Sequence, residues 1–121
     1  MDCSVSYSDL KELVEKSQDL VLIDVRTEGE VARGSIPRSI NIPLHLIGTA
    51  LQMTPEEFKA KYGRLKPATD APELVFHCQS GRRGESAVDI AHKLGYEKAR
   101  NYPGGYSEWC MKERILSHKA F

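Results

Sequence analysis

A cysteine, a glycine and two arginines lie together in the segment Cys78-Gln79-Ser80-Gly81-Arg82-Arg83. The cysteine follows a compact apolar run, Glu73-Leu74-Val75-Phe76-His77, and precedes an amphipathic stretch that starts at Gly84. That order predicts a buried strand, a short loop and a helix N-terminus. Such a loop turns its backbone N–H groups inward and makes an anion nest. The helix start adds about half a positive charge, and Arg82 and Arg83 add two full ones nearby. Each of these stabilises a thiolate, the nucleophilic form of cysteine. The cradle formed by Gln79, Ser80, Gly81, Arg82, Arg83 and Gly84 would also bind an anionic substrate. A lone cysteine at a strand end is otherwise a small hydrophobe; here the glycine, the arginines and the helix start together favour Cys78 as a nucleophile.

The spacing narrows the substrate. Loops that hold phosphate in cysteine phosphatases place their arginine one residue further from the cysteine than Arg83 stands here. A tighter ring suits one extra sulfur on the cysteine better than a tetrahedral phosphate, and Arg82 lies closer still.

The elements that must position this loop follow from periodicity. Leu20-Val21-Leu22-Ile23, ending at Asp24, reads as a strand buried on both faces, and Ile40-Asn41-Ile42-Pro43 as a short strand stopped by proline. Val5–Tyr7 reads as a short first strand and Ala99–Tyr102 as a last short one. Helices are expected from a Ser8 cap to Lys16, over Thr27–Arg33 closed by Gly34, and from Thr54-Pro55-Glu56-Glu57 to Tyr62 with Gly63 as the stop. Two more are expected over Gly84–Leu94, with Ala87, Val88, Ile90, Ala91 and Leu94 as the apolar stripe, and over Gly105–Glu113. Strands alternating with helices imply an α/β/α arrangement.

In such folds ligands bind at the carboxyl ends of the strands. Asp24-Val25-Arg26 and Pro103-Gly104-Gly105 fall there beside the Cys78 loop. Asp24 and Arg26 either orient substrate or pair internally to hold neighbouring loops, and pairing is favoured because buried charges need partners. Gly104 and Gly105 supply close backbone geometry near the cysteine. His77 precedes Cys78 in a strand, so it points to the opposite face and has a structural role. Trp109 is expected in the core and Cys110 buried beside it. Cys3 is expected in a loose terminus, and His45, His92 and His118 show no partners in the sequence.

The 121 residues fit one domain, residues 1–121, able to bury a core without staples. Lys+Arg and Asp+Glu are 17 each, so no basic excess points to nucleic acid and no polybasic stretch to a membrane surface. Hydrophobic residues at 40% and charged residues at 28% are those of a globular domain. Three cysteines without paired spacing give neither a disulfide framework nor a zinc site. No apolar run nears the ~20 residues of a membrane span, and Met1-Asp2-Cys3-Ser4 resembles no targeting leader. A reducing, cytoplasmic setting is the expectation.

The motifs resemble a known family. Cys78–Arg83 is similar to the six-residue active-site loop of single-domain rhodaneses, the thiosulfate sulfurtransferases. Asp24-Val25-Arg26-Thr27-Glu28-Gly29-Glu30, Gly34-Ser35-Ile36-Pro37 and Asn41-Ile42-Pro43 resemble the family's first signature, and Tyr102-Pro103-Gly104-Gly105-Tyr106-Ser107-Glu108-Trp109 its last. Within the family, Ala50-Leu51-Gln52-Met53, Cys78-Gln79, Gly81, Arg83-Gly84 and Ala99-Arg100-Asn101-Tyr102 are similar to the vertebrate single-domain thiosulfate:glutathione sulfurtransferases. Ser35 departs from the family's usual His, and Arg38-Ser39 from its usual Gly-Ala. The resemblance implies a rhodanese-like three-layer fold on a mostly parallel five-stranded sheet. It implies sulfur transfer from thiosulfate through a Cys78 persulfide to a thiol such as glutathione, or to cyanide, with no metal or organic cofactor. Two alternatives stay open at this point: a persulfide carrier that passes sulfur to a partner protein, and a cysteine phosphatase, which the loop length disfavours.

Overall fold

The computed structural model describes residues 3–119. Its elements run α1 (Tyr7–Lys16), β1 (Val21–Asp24), α2 (Glu28–Val31), β2 (Ser39–Asn41), a 3₁₀ turn (Leu44–Leu46), α3 (Ile47–Leu51), α4 (Pro55–Tyr62), β3 (Leu74–His77), α5 (Arg82–Lys93), β4 (Arg100–Tyr102) and α6 (Gly105–Lys119). The strands form a parallel sheet in the order β2-β1-β3-β4. Asp24 is in register with Asn41 on one side and His77 on the other, and His77 with Tyr102. The four strands therefore end at one level, and the segments that follow them share one edge. Among the described residues no helix is long and apolar enough to cross a membrane.

Alternation along the strands sorts the core into two layers. Ile23, Leu74, Phe76 and Cys78 face a cluster with Ile47, Phe58, Ala87 and Ala91. Leu22, Val75 and Tyr102 face the other, with Leu10, Ile36 and Trp109. Trp109 packs edge-on against Tyr7, and Glu113 of α6 accepts Lys11 Nζ (2.7 Å) and the Tyr7 hydroxyl, so α1 and α6 form one layer.

Thr27 and Thr54 both close capping boxes, with Glu30 and Glu57, and Pro55 sits in the first turn of α4. Elsewhere the structure differs from expectation. The sheet has four strands among the described residues rather than five. The expected strand Val5–Tyr7 is reduced to a single parallel bridge between Ser4 and Asn101. Ser6, rather than Ser8, caps α1: its Oγ accepts the Asp9 N–H, and helix begins at Tyr7. The stretch Leu44–Leu51 has no side-chain cap to announce its helices. α5 starts at Arg82 instead of Gly84, and α6 continues past Glu113 to Lys119.

Arg38 stands at φ 75°, a left-handed conformation among non-glycine residues that costs ~1–2 kcal/mol for an L-residue. This is where the related signature carries glycine. The strain is offset locally. Arg38 Nη1 donates to the carbonyls of Leu13 (3.2 Å), Val14 (3.1 Å) and Ser17 (2.7 Å), satisfying the last turn of α1.

Candidate active site

Cys78 leaves β3 at the shared strand edge and is buried, with 1% exposure. The chain then reverses through Gly81, whose φ of 101° is open to glycine and strained for any other residue. A Cβ at Gly81 would also stand 2.6 Å from the Pro103 carbonyl oxygen. This turn aims the Gly81 N–H at Cys78 Sγ, 3.0 Å away. The Gly81 carbonyl faces outward and accepts Glu85 N–H (3.0 Å) and Asn101 Nδ2–H (3.1 Å). The Glu85 bond is the first of α5, so the N–H groups of Arg82, Arg83 and Gly84 are the free amides of a helix start.

Two further carbonyls of the loop are engaged by α6. Tyr106 N–H donates to Cys78 O (2.8 Å) and Ser107 N–H to Gln79 O (3.2 Å). Gly105 makes that approach possible: at φ 66°, a Cβ there would lie 2.4 Å from Gln79 O and 2.7 Å from Cys78 O. The expectation for Gly105 therefore matches the geometry. Gly104 does something else, since its missing Cβ leaves room for Glu108, which accepts the Tyr102 hydroxyl at 2.7 Å. Gly84 is likewise a packing residue: a side chain there would meet Asn101 Oδ1 at 2.2 Å, so glycine lets α5 lie close against the sheet.

Asp24 and Arg26 form a buried ion pair, 0% and 2% exposed, at 2.8 Å. Arg26 Nη2 also donates to Gly34 O (2.8 Å), Nη1 reaches Gln79 Oε1 (3.4 Å), and the guanidinium lies over the Tyr106 ring. The pair therefore ties the first strand's loop to the cysteine loop. His77 points to the opposite face from Cys78, and its Nδ1–H donates to Cys78 O at 3.3 Å. Burial pushes its pKa down despite Asp24 Oδ2 at 3.7 Å, so the ring is neutral.

The arginines are placed differently from expectation. Arg82 is exposed, at the first position of α5. Arg83 does interact electrostatically with Cys78, but Glu30 binds it with both oxygens, at 2.7 and 2.9 Å. The hydrogen bond from Arg83, with help from Thr27, holds the Glu30 carboxyl at about 2, and the same partner raises the Arg83 pKa. The loop's field thus comes from amide dipoles and one neutralised cation, in place of two free charges. Glu30 is the residue that sequence reasoning missed as part of the site; its capping-box position after Thr27 was the available signal. Asn101, which orients Gly81, gave no such signal.

Other expectations are corrected. Cys3 is exposed, but its carbonyl accepts the Asn101 N–H (2.8 Å), so that segment is pinned to β4. His92 has a partner, donating through Nε2 to Ala99 O (2.9 Å). Cys110 is half-buried beside the Tyr106 hydroxyl, whose pKa its hydrogen bond raises. His45 is exposed, and the side chain of His118 lies outside the described residues.

With this geometry in hand, comparison with known proteins is decisive. Residues 6–112 match the rhodanese-like domain. The chain belongs to the rhodanese-like family. This rhodanese-like domain is 47% identical over 110 residues to the mouse thiosulfate sulfurtransferase/rhodanese-like domain-containing protein 3, covering 90% of this chain and 69% of that protein. It is 44% identical over 110 residues to the human thiosulfate:glutathione sulfurtransferase, covering 91% of this chain and 95% of that one. Among solved structures, the human single-domain sulfurtransferase TSTD1 superposes with a TM-score of 0.87 at 44% identity, covering 93% of this chain and 98% of that one.

Proposed function

We propose that this rhodanese-like domain moves sulfane sulfur from thiosulfate to a thiol acceptor such as glutathione, through a persulfide on Cys78. The observation that carries this reading is the Gly81 N–H on Cys78 Sγ at 3.0 Å, at the foot of α5. A sulfur added to Sγ would meet the free amides at the start of α5, which have no partner within the helix. The names of the human and yeast thiosulfate:glutathione sulfurtransferases, 44% and 39% identical to this chain, support the donor and acceptor.

The reaction is a double displacement. The Cys78 thiolate attacks the outer sulfur of thiosulfate; a new S–S bond forms, the thiosulfate S–S bond breaks, and sulfite leaves with that bond's electron pair. The outer sulfur of the persulfide then carries the negative charge among the N–H groups of Gly81, Arg82, Arg83 and Gly84. An acceptor thiolate attacks that sulfur, forming its own persulfide and returning the Cys78 thiolate. Gln79 and Ser80 complete the ring, and Arg82, exposed at the first position of α5, would draw in the dianion from solvent. Protein thiols belong to the same acceptor class. A low, odd count of three cysteines without paired spacing is in keeping with a reducing, cytoplasmic compartment.

Steady-state turnover of thiosulfate with glutathione tests the reading. Wild type turns over, and Cys78→Ser loses activity to below a few per cent while folded. Loading of Cys78 without turnover on any small thiol would instead identify a sulfur carrier for a partner protein.

A further inference from the structure

Two hollows open on either side of the Glu30–Arg83 pair. One, of about 630 Å³, has largely apolar walls that include Val25, Pro43, Leu44 and Ile90. Its cation, Arg83, is occupied by Glu30. The other, of about 330 Å³, is lined by Arg26, Glu30, Arg33, Gln79 and Tyr106, and adjoins the residue after the cysteine.

The charges of this second hollow can be paired off. Arg26 is matched by Asp24 and Glu30 by Arg83. Arg33 is exposed and has no ion pair among the described residues, so it leaves one uncompensated positive charge on the wall. The orientation of Gln79 adds a second recognition group. Arg26 Nη1 can only donate, so it fixes Gln79 Oε1 toward itself. The Gln79 NH₂ is turned the other way and makes no hydrogen bond among the described residues. The wall therefore offers one cation and one amide donor, beside the residue that follows the cysteine.

We propose that this hollow is the acceptor subsite, and that it takes a carboxylate-bearing peptide thiol. A carboxylate pairs with Arg33, an amide carbonyl accepts from Gln79 Nε2, and the thiol is left facing the Cys78 loop. Arg33 is thus a specificity-determining residue for the acceptor and not for thiosulfate. The inference rests on the sulfurtransferase reading for the identity of the reaction, but the binding it describes is measurable without any transfer.

The test uses the full chain and two readouts. Binding of S-methylglutathione, a thioether that accepts no sulfur, is measured by titration calorimetry. Thiosulfate turnover is measured with glutathione and with 2-mercaptoethanol, a thiol that has neither carboxylate nor amide. Loss of one charge-assisted hydrogen bond in Arg33→Gln should weaken S-methylglutathione binding about tenfold or more. It should lower the glutathione-to-mercaptoethanol ratio of kcat/KM by a similar factor, with Arg33→Lys recovering part of both. No binding to the wild type, binding unchanged in Arg33→Gln, or equal losses with the two thiols would overturn the assignment. Failure of thiosulfate to load Cys78 overturns the sulfurtransferase reading instead, and the binding arm still decides this one.

Discussion

Cys78 is made distinctive by what surrounds its sulfur, and the residue that most changes the sequence-based picture of those surroundings is Glu30. Two adjacent arginines suggested a strongly cationic mouth. In the folded chain one is exposed and the other is held by a carboxylate whose exposure is 34%. Removing that carboxylate without changing its shape frees Arg83 for the donor anion. Glu30→Gln is expected to lower KM for thiosulfate several-fold in steady-state kinetics; an unchanged KM would show that Arg83 does not meet the donor. The same pair has a defined pH signature. The Glu30 carboxyl sits at about 2 in the fold, below its ordinary 4.5. Its folded pKa is depressed, so its contribution to stability is complete above about pH 4.5 and is lost as pH falls through about 2. Thermal melts of wild type and Glu30→Gln should differ at pH 7 and converge at the acid end. A gap that persists near pH 2 would exclude the ion pair as its source. Cys78, Gly81 and Arg83 were legible as a set because chain order alone brings them together. Glu30 was legible only as the last residue of a segment that resembles the family's first signature, since its meeting with Arg83 is created by the sheet.

At the scale of elements, what was readable was whatever is encoded by neighbours along the chain. The capping boxes at Thr27 and Thr54 and the proline at Pro55 specify their helices locally. α3 begins after Leu46 with no side-chain cap, so nothing in the sequence marks its start. The start of α5 shifts to Arg82 because Gly81 must turn to φ 101° under the Pro103 carbonyl, a contact set by a distant strand end. Gly81→Ala should therefore cost ~1–2 kcal/mol from its backbone conformation alone, with the clash against Pro103 added. It should remove sulfur transfer more completely than it removes fold, as read by activity against denaturant midpoint. Arg38 provides the opposite case, a strained residue stabilised by its own side chain. Arg38→Ala keeps the positive φ and loses three hydrogen bonds to α1, whereas Arg38→Gly loses the bonds but relieves the φ. Denaturant unfolding should rank wild type above Gly and Gly above Ala, with the two variants separated by about 1 kcal/mol. Equal midpoints for the two variants would mean that the backbone strain is not borne at Arg38.

Across the whole molecule, four parallel strands ending at one level bring three separate segments to one edge, and the two core layers hold them there. The α/β class followed from the alternation of elements, but the strand count did not. Residues before α1 have strand-like composition, yet Ser6 caps a helix, so only the short stretch Cys3–Val5 reaches β4, through two backbone hydrogen bonds to Asn101. That short contact matters beyond its length, because the partner is Asn101, which also orients Gly81. His77 spans the same interior. It is buried, neutral and lowered in pKa by burial. Protonating it puts a new charge in the core, so its contribution to stability is complete above about pH 6.5 and declines as pH falls below that. His77→Gln should flatten the loss of stability between pH 7.5 and pH 5.5 in urea unfolding; an unchanged slope would place the titrating group elsewhere.

The central claim is that the ring from Cys78 to the start of α5 captures one sulfur atom. Intact mass spectrometry of the full chain tests it most directly, before and after thiosulfate and again after glutathione. The account predicts a gain of one sulfur on the wild type and on the Cys3→Ser/Cys110→Ser variant, its removal by glutathione, and no gain on folded Cys78→Ser. A sulfur adduct that survives Cys78→Ser, or disappears with Cys3 and Cys110, would contradict it.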